Sequence, residues 1–146
     1  MRSLAYVLGL VAGLGLTVQV GMNSQLRKAL QNANSAALIS FLVGTVALIA
    51  ILIATRSPLP ARETLAAVPL WAWFGGLFGA FYVASSTIVA AELGTASLLA
   101  LALCGQLATA LVIDHYGWLG LPEHPITWMR LFGVVLLGFG VWLITR

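Results

Sequence analysis

Apolar residues run through this sequence in five long stretches, at 3–22, 36–54, 70–91, 95–113 and 128–144, and the polar residues collect in the gaps. Each stretch holds about 17 to 22 residues, enough at about 1.5 Å per residue to span a hydrocarbon core roughly 30 Å thick. In lipid the backbone must satisfy its own hydrogen bonds, and runs of this length do so as helices. The first stretch continues at helical spacing through Leu26 and Leu30, with no Pro or Gly to interrupt residues 22–31. The pattern therefore predicts an all-α membrane protein with five transmembrane helices at about 3–30, 36–55, 70–91, 95–113 and 128–145. They form a single domain over residues 1–146.

The gaps carry turn chemistry. Residues 56–69 contain Pro58, Pro60 and Pro69 with Arg62 and Glu63, which predicts a surface loop. Only Glu92, Leu93 and Gly94 separate the third and fourth stretches, which predicts a tight antiparallel hairpin. Residues 114–127 carry Gly117, Gly120, Pro122 and Pro125 around Tyr116 and Trp118, a composition suited to the membrane interface. Arg2 precedes the first apolar run, but no small-x-small cleavage site follows it, so that run is expected to be retained.

Composition agrees with lipid as the solvent: 61% of the 146 residues are hydrophobic and 8% charged, and the mean hydropathy is +1.03. The net charge of +3 is scattered over segment ends, which excludes a nucleic-acid stripe. A lone cysteine, Cys104, rules out an intrachain disulfide. With the N-terminus on one side of the bilayer, Arg2, Arg56, Arg62 and Arg130 fall on that side, and Arg27, Lys28 and Arg146 on the other. Orientation in the membrane follows a bias in this count, and four against three is almost none. Two outcomes are compatible with it: insertion in both orientations, or one topology fixed by a single loop such as that of Arg56 and Arg62. An odd number of helices and balanced charges suit half of an inverted-repeat transporter, assembled as an antiparallel homodimer or as a heterodimer with a similar chain.

The candidate site consists of neutral polar residues inside the apolar runs. Gln19 and Asn23 lie four apart and share a helix face, either bonding a neighbouring helix or lining a wet cavity. Gln106 lies near the middle of the fourth run, at the depth where inverted-repeat carriers bind substrate. Tyr82, Ser85, Ser86, Val89 and Glu92 form a stripe along the third run, in which Ser85 and Ser86 serve either as ligand donors or as small packing residues. Glu92 is a candidate for proton or cation coupling if it is buried, and an interfacial residue if its helix end reaches the headgroups. Asp114 reads as an interfacial cap. His115 and His124 lack the i, i+4 spacing of a helical metal site, and no metal, cofactor or phosphate-loop motif is present. Gly9 with Gly13, and Gly75 with Gly79, are small-xxx-small pairs expected to permit close helix contact. Trp71, Trp73, Trp128 and Trp142 mark interface belts.

These residues have a familiar order. Gln19 with MNSQL (22–26), SFLVGT (40–45), WFGGLFGAFYV (73–83), CGQL (104–107), the 114–121 run and a last helix with Arg130, Gly133, Gly138 and Gly140 resemble the YdcZ-like family. That family lies within the drug/metabolite transporter superfamily, and the resemblance covers essentially the whole chain. It implies a five-helix half of a ten-helix inverted-repeat fold in the bacterial cytoplasmic (inner) membrane. It also implies a carrier of small organic solutes working by alternating access, and not an enzyme. A passive channel and an accessory subunit of a larger membrane complex are the competing classes. The expected substrate-binding residues are Gln19, Asn23, Tyr82, Ser85, Ser86 and Gln106, with Glu92 for coupling.

Overall fold

The computed structural model describes residues 2–146, with side chains from residue 3, and the described chain is helical with no strand. The Arg2 side chain, counted with the first-side cations, lies outside the described residues. Six α-helices follow in order: α1 (Arg2–Leu30), α2 (Ala33–Ala54), α3 (Arg62–Ala66), α4 (Gly75–Leu93), α5 (Thr95–Tyr116) and α6 (Trp128–Ile144). The chain divides into two compact units, Met1–Ile88 and Val89–Arg146, with α4 continuing across the boundary.

In the first unit α1 and α2 pack closely together. α1 runs unbroken for 29 residues, through the polar stretch that follows its apolar part. Its end is abrupt because Gln31 takes a left-handed φ of 54° and Asn32 caps the next helix, accepting a 3.0 Å hydrogen bond from the Ser35 N–H. This cap starts α2 at Ala33, three residues before the apolar pattern suggested. The Pro-rich 56–69 loop is not wholly irregular, since α3 forms within it with Glu63 in its first turn, favourable for the helix dipole. The third apolar run opens as a 3₁₀ turn at Leu70–Phe74 before becoming α4.

The buried residues of this unit are small or polar: Val20 and Asn23 on α1, Ala36 and Ala37 on α2, Val83, Ser86 and Thr87 on α4. Small side chains let helix backbones approach, which is how apolar helices associate without a hydrophobic drive. A Cβ at Gly79 would meet Phe41 Cζ at 3.3 Å, so that glycine does serve packing on α2. Gly9, Gly13 and Gly75 have nothing within 4 Å of a Cβ position, so their expected contacts are not made within the described chain.

In the second unit α4 runs two residues beyond the apolar stretch, and the expected three-residue connection shrinks to Gly94. Gly94 has φ 83°, and it both donates to Ala90 O and accepts from Leu98 N–H, closing one helix and opening the next. α5 and α6 pack closely. α5 continues to Tyr116 and is stopped by Gly117 at φ 60°, ψ 29°, a left-handed cap whose N–H bonds Ile113 O.

Large apolar side chains face outward on every long helix, among them Leu10, Leu14, Val43, Ile53, Phe78, Phe81, Leu103 and Phe139. That is the distribution expected of a chain whose solvent is hydrocarbon. Four stretches are long and apolar enough to cross a membrane: Ser3–Leu30, Ala33–Ala54, Leu70–Leu93 and Thr95–Tyr116. The expected fifth crossing falls to α6, whose 17 residues rise about 25 Å, short of a roughly 30 Å core.

Candidate functional site

Against this apolar exterior, the polar groups of the first unit gather on the faces where α1, α2 and α4 turn inward. Asn23 is 3% exposed. It lines a groove of about 430 Å³ between α1 and α2, together with Gln19, Met22, Leu26, Ser40 and Val43. Gln19 is exposed and shares that groove, as the four-residue spacing predicted. A second groove of about 410 Å³ runs between α2 and α4 and is apolar apart from Asn34.

On α4, Ser86 is 2% exposed and its hydroxyl donates to Val83 O at 2.8 Å. Thr87 is fully buried and donates to Ala84 O at the same distance. Both hydroxyls are thus satisfied within their own helix. Tyr82 and Ser85 are half-buried beside them. Arg27 leans on this helix, with Nη1 donating to Thr87 O at 3.5 Å. One turn before it, the Ser24 Oγ is buried and has no partner. Ser24, Arg27, Ser40 and Thr87 were not among the expected site residues. Arg27 carried a signal, since it follows Asn23 by four residues on a helix that the sequence predicts to be continuous.

The remaining candidates belong to the second unit. Gln106 is exposed on α5, and Glu92 is exposed in the last turn of α4, two residues before Gly94. The loop after α5 is organised by a pair that sequence reading did not connect. Arg130 Nη2 donates to Asp114 Oδ2 in an ion pair, and Nη1 donates to His124 O at 2.8 Å. His124 N–H bonds Asp114 O at 2.7 Å, Ile126 N–H bonds His115 Nδ1 at 3.3 Å, and Tyr116 stacks on Trp118. Asp114 is therefore more than a cap: with Arg130 it ties the end of α5 to the start of α6. At the far end of α6 the Arg146 guanidinium lies 4.1 Å from the centre of the Trp142 ring, a cation–π contact.

The first unit can thus offer amide and guanidinium donors beside an apolar groove, chemistry suited to holding a small polar solute within a membrane. Comparison with known proteins identifies the family. The family described as "Putative inner membrane exporter, YdcZ" matches residues 4–143. The Inner membrane protein YdcZ of Escherichia coli (strain K12) is 28% identical over 145 residues, covering 99% of this chain and 97% of that protein. No solved structure matches. With an exterior made for lipid and a family match over nearly its full length, the chain belongs to the YdcZ family and is a multi-pass protein of the inner membrane.

Proposed function

We propose that this protein is half of a carrier that moves a small organic solute across the inner membrane by alternating access, as a dual-topology dimer. One five-helix domain supplies each half of the inverted repeat, with α6 as the fifth crossing. In the first unit Gln19, Asn23, Tyr82, Ser85 and Ser86 contact the substrate. In the second, Gln106 contributes a further amide and Glu92 takes part in proton or cation coupling.

The observation that carries this proposal is Asn23: an amide side chain 3% exposed, inside an apolar helix, on the wall of a groove. An amide among apolar side chains is costly unless it bonds a partner or lines a wet cavity, and its place on the groove wall supports contact with a polar solute. The family description supports export, and the four-to-three division of cations supports insertion in both orientations.

The test is solid-supported-membrane electrophysiology and solute counterflow on the reconstituted protein over a panel of small organic solutes. A carrier gives saturable flux that is stimulated by solute on the opposite side, and Asn23→Ala and Gln106→Ala each lower it at least tenfold. Flux without saturation or counterflow means a channel, and no flux without a further protein means an accessory subunit; either result overturns the proposal.

A further inference from the structure

The only carboxylate within salt-bridge distance of a cation among the described residues is Asp114, and it belongs to Arg130. Arg27 is different. It is half-buried, has no acidic partner, and holds one long contact to the Thr87 carbonyl. A guanidinium has five N–H donors in a rigid fork, so most of its capacity is unused. Thr87 lies six residues before the end of α4, about 9 Å along the helix, which draws Arg27 inward from that end.

One neighbour, Ser24, shares the deficit. At about 100° per residue, Asn23, Arg27, Val20 and Ser24 fall in order within one arc of about 100° on α1. The arc faces inward, since Val20 and Asn23 are each 3% exposed. Ser24 has a buried unpartnered hydroxyl and Arg27 its unused fork, and the nearly buried Asn23 sets an amide beside them. Three donor groups in one inward arc, with no protein acceptor for the Ser24 hydroxyl and most of the Arg27 fork free, describe a seat for an acceptor from outside the chain. A single positive charge flanked by two neutral donors matches a group with one negative charge and two or more oxygens.

We propose that Arg27, with Asn23 and Ser24, binds the oxyanion group of a small singly charged organic anion. The apolar part of that anion lies along the α1–α2 groove, whose wall Asn23 shares. This rests on the transport proposal only in taking the groove as the substrate's path; the binding itself is measurable without flux. A carboxylate of a soluble solute and the phosphodiester of an anionic lipid offer the same chemistry.

The experiment uses the full chain in phosphatidylcholine nanodiscs, titrated calorimetrically with benzoate, acetate and the neutral isostere benzamide. The expected result is binding of benzoate but not benzamide, weakened at least tenfold in Arg27→Gln, less in Arg27→Lys, and about threefold in Ser24→Ala. Lys28→Gln, which removes the same charge from the next and exposed residue, leaves binding unchanged. Loss of benzoate binding in phosphatidylglycerol nanodiscs assigns the seat to a lipid headgroup; undiminished binding assigns it to a soluble anion. Equal binding of benzamide, no response to either anion, or full binding in Arg27→Gln overturns the proposal. Should Arg27→Gln fail to fold, Ser24→Ala and the benzoate–benzamide comparison on the wild type decide it. Anion binding without flux would overturn the transport proposal and leave this one standing, whereas flux of neutral solutes unaffected by Arg27→Gln would do the reverse.

Discussion

At the scale of single residues, Asn23 and Gly117 respond to different forces. Asn23 is nearly buried beside a groove, so replacing it with an apolar residue of similar size removes the cost of desolvating its amide. Asn23→Leu is expected to keep or raise the protein's stability by about 1 kcal/mol while lowering flux at least tenfold. A parallel measurement of thermal unfolding and counterflow checks this, and a marked loss of stability would instead mean that the amide holds helices together. Gly117 is set by the backbone: its φ of 60° and the Glu123 Cγ 2.7 Å from a Cβ position leave no comfortable place for a side chain. Gly117→Ala is expected to destabilise by about 1–2 kcal/mol in denaturant unfolding. Gly44→Ala, with nothing within 4 Å, is expected to be nearly neutral.

At the scale of helices, Asp114 and Arg130 sit on the wrong ends. An acid near the C-terminus of α5 and a base near the N-terminus of α6 are each disfavoured by the helix dipole. Pairing them offsets both penalties and fixes the loop, with Thr127 Oγ1 accepting the Arg130 N–H at 3.3 Å to start α6. The two side chains are 26% and 37% exposed, so solvent screens the pair. Asp114→Asn and Arg130→Gln are expected to be non-additive, with a coupling of about 1 kcal/mol that shrinks at high salt. A double-mutant cycle at two salt concentrations checks it. The sequence showed both residues and the turn glycines but not the pairing, because their separation of 16 residues passes through three left-handed positions, Gly117, Leu119 and Gly120, whose geometry sets the return path.

At the scale of the whole molecule, the bare glycines point outward from the chain. Gly9 and Gly13 of α1 have no neighbour within 4 Å, so bulk added there meets nothing in its own protomer. Under the proposed dimer, Gly9→Ile with Gly13→Ile is expected to leave each chain folded while lowering the dimer fraction at least tenfold, as read by single-molecule photobleaching in liposomes. An unchanged fraction would remove that face from the dimer interface. Orientation is checked separately, by replacing Cys104, the only cysteine, and labelling a cysteine placed at each terminus with an impermeant thiol reagent. Dual topology predicts each terminus labelled from both sides of the membrane; labelling from one side alone would exclude it.

What the sequence determined by itself follows from local rules. Helix existence comes from apolar length, because lipid leaves the backbone no other way to satisfy its bonds. The shared face of Gln19 and Asn23 comes from helical periodicity, and the stops near Gly94 and Gly117 from glycine's access to positive φ. Helix starts were less legible, since Asn32 capping α2 depends on one side-chain bond that an apolar count does not register. Tertiary structure alone decided which polar groups were satisfied. Ser86 and Thr87 bond their own helix, while the Ser24 hydroxyl is buried without a partner and Arg27 bonds the α4 backbone. The reason is that burial and bonding depend on which helix lies opposite, and a helix's own sequence fixes its faces but not its neighbour.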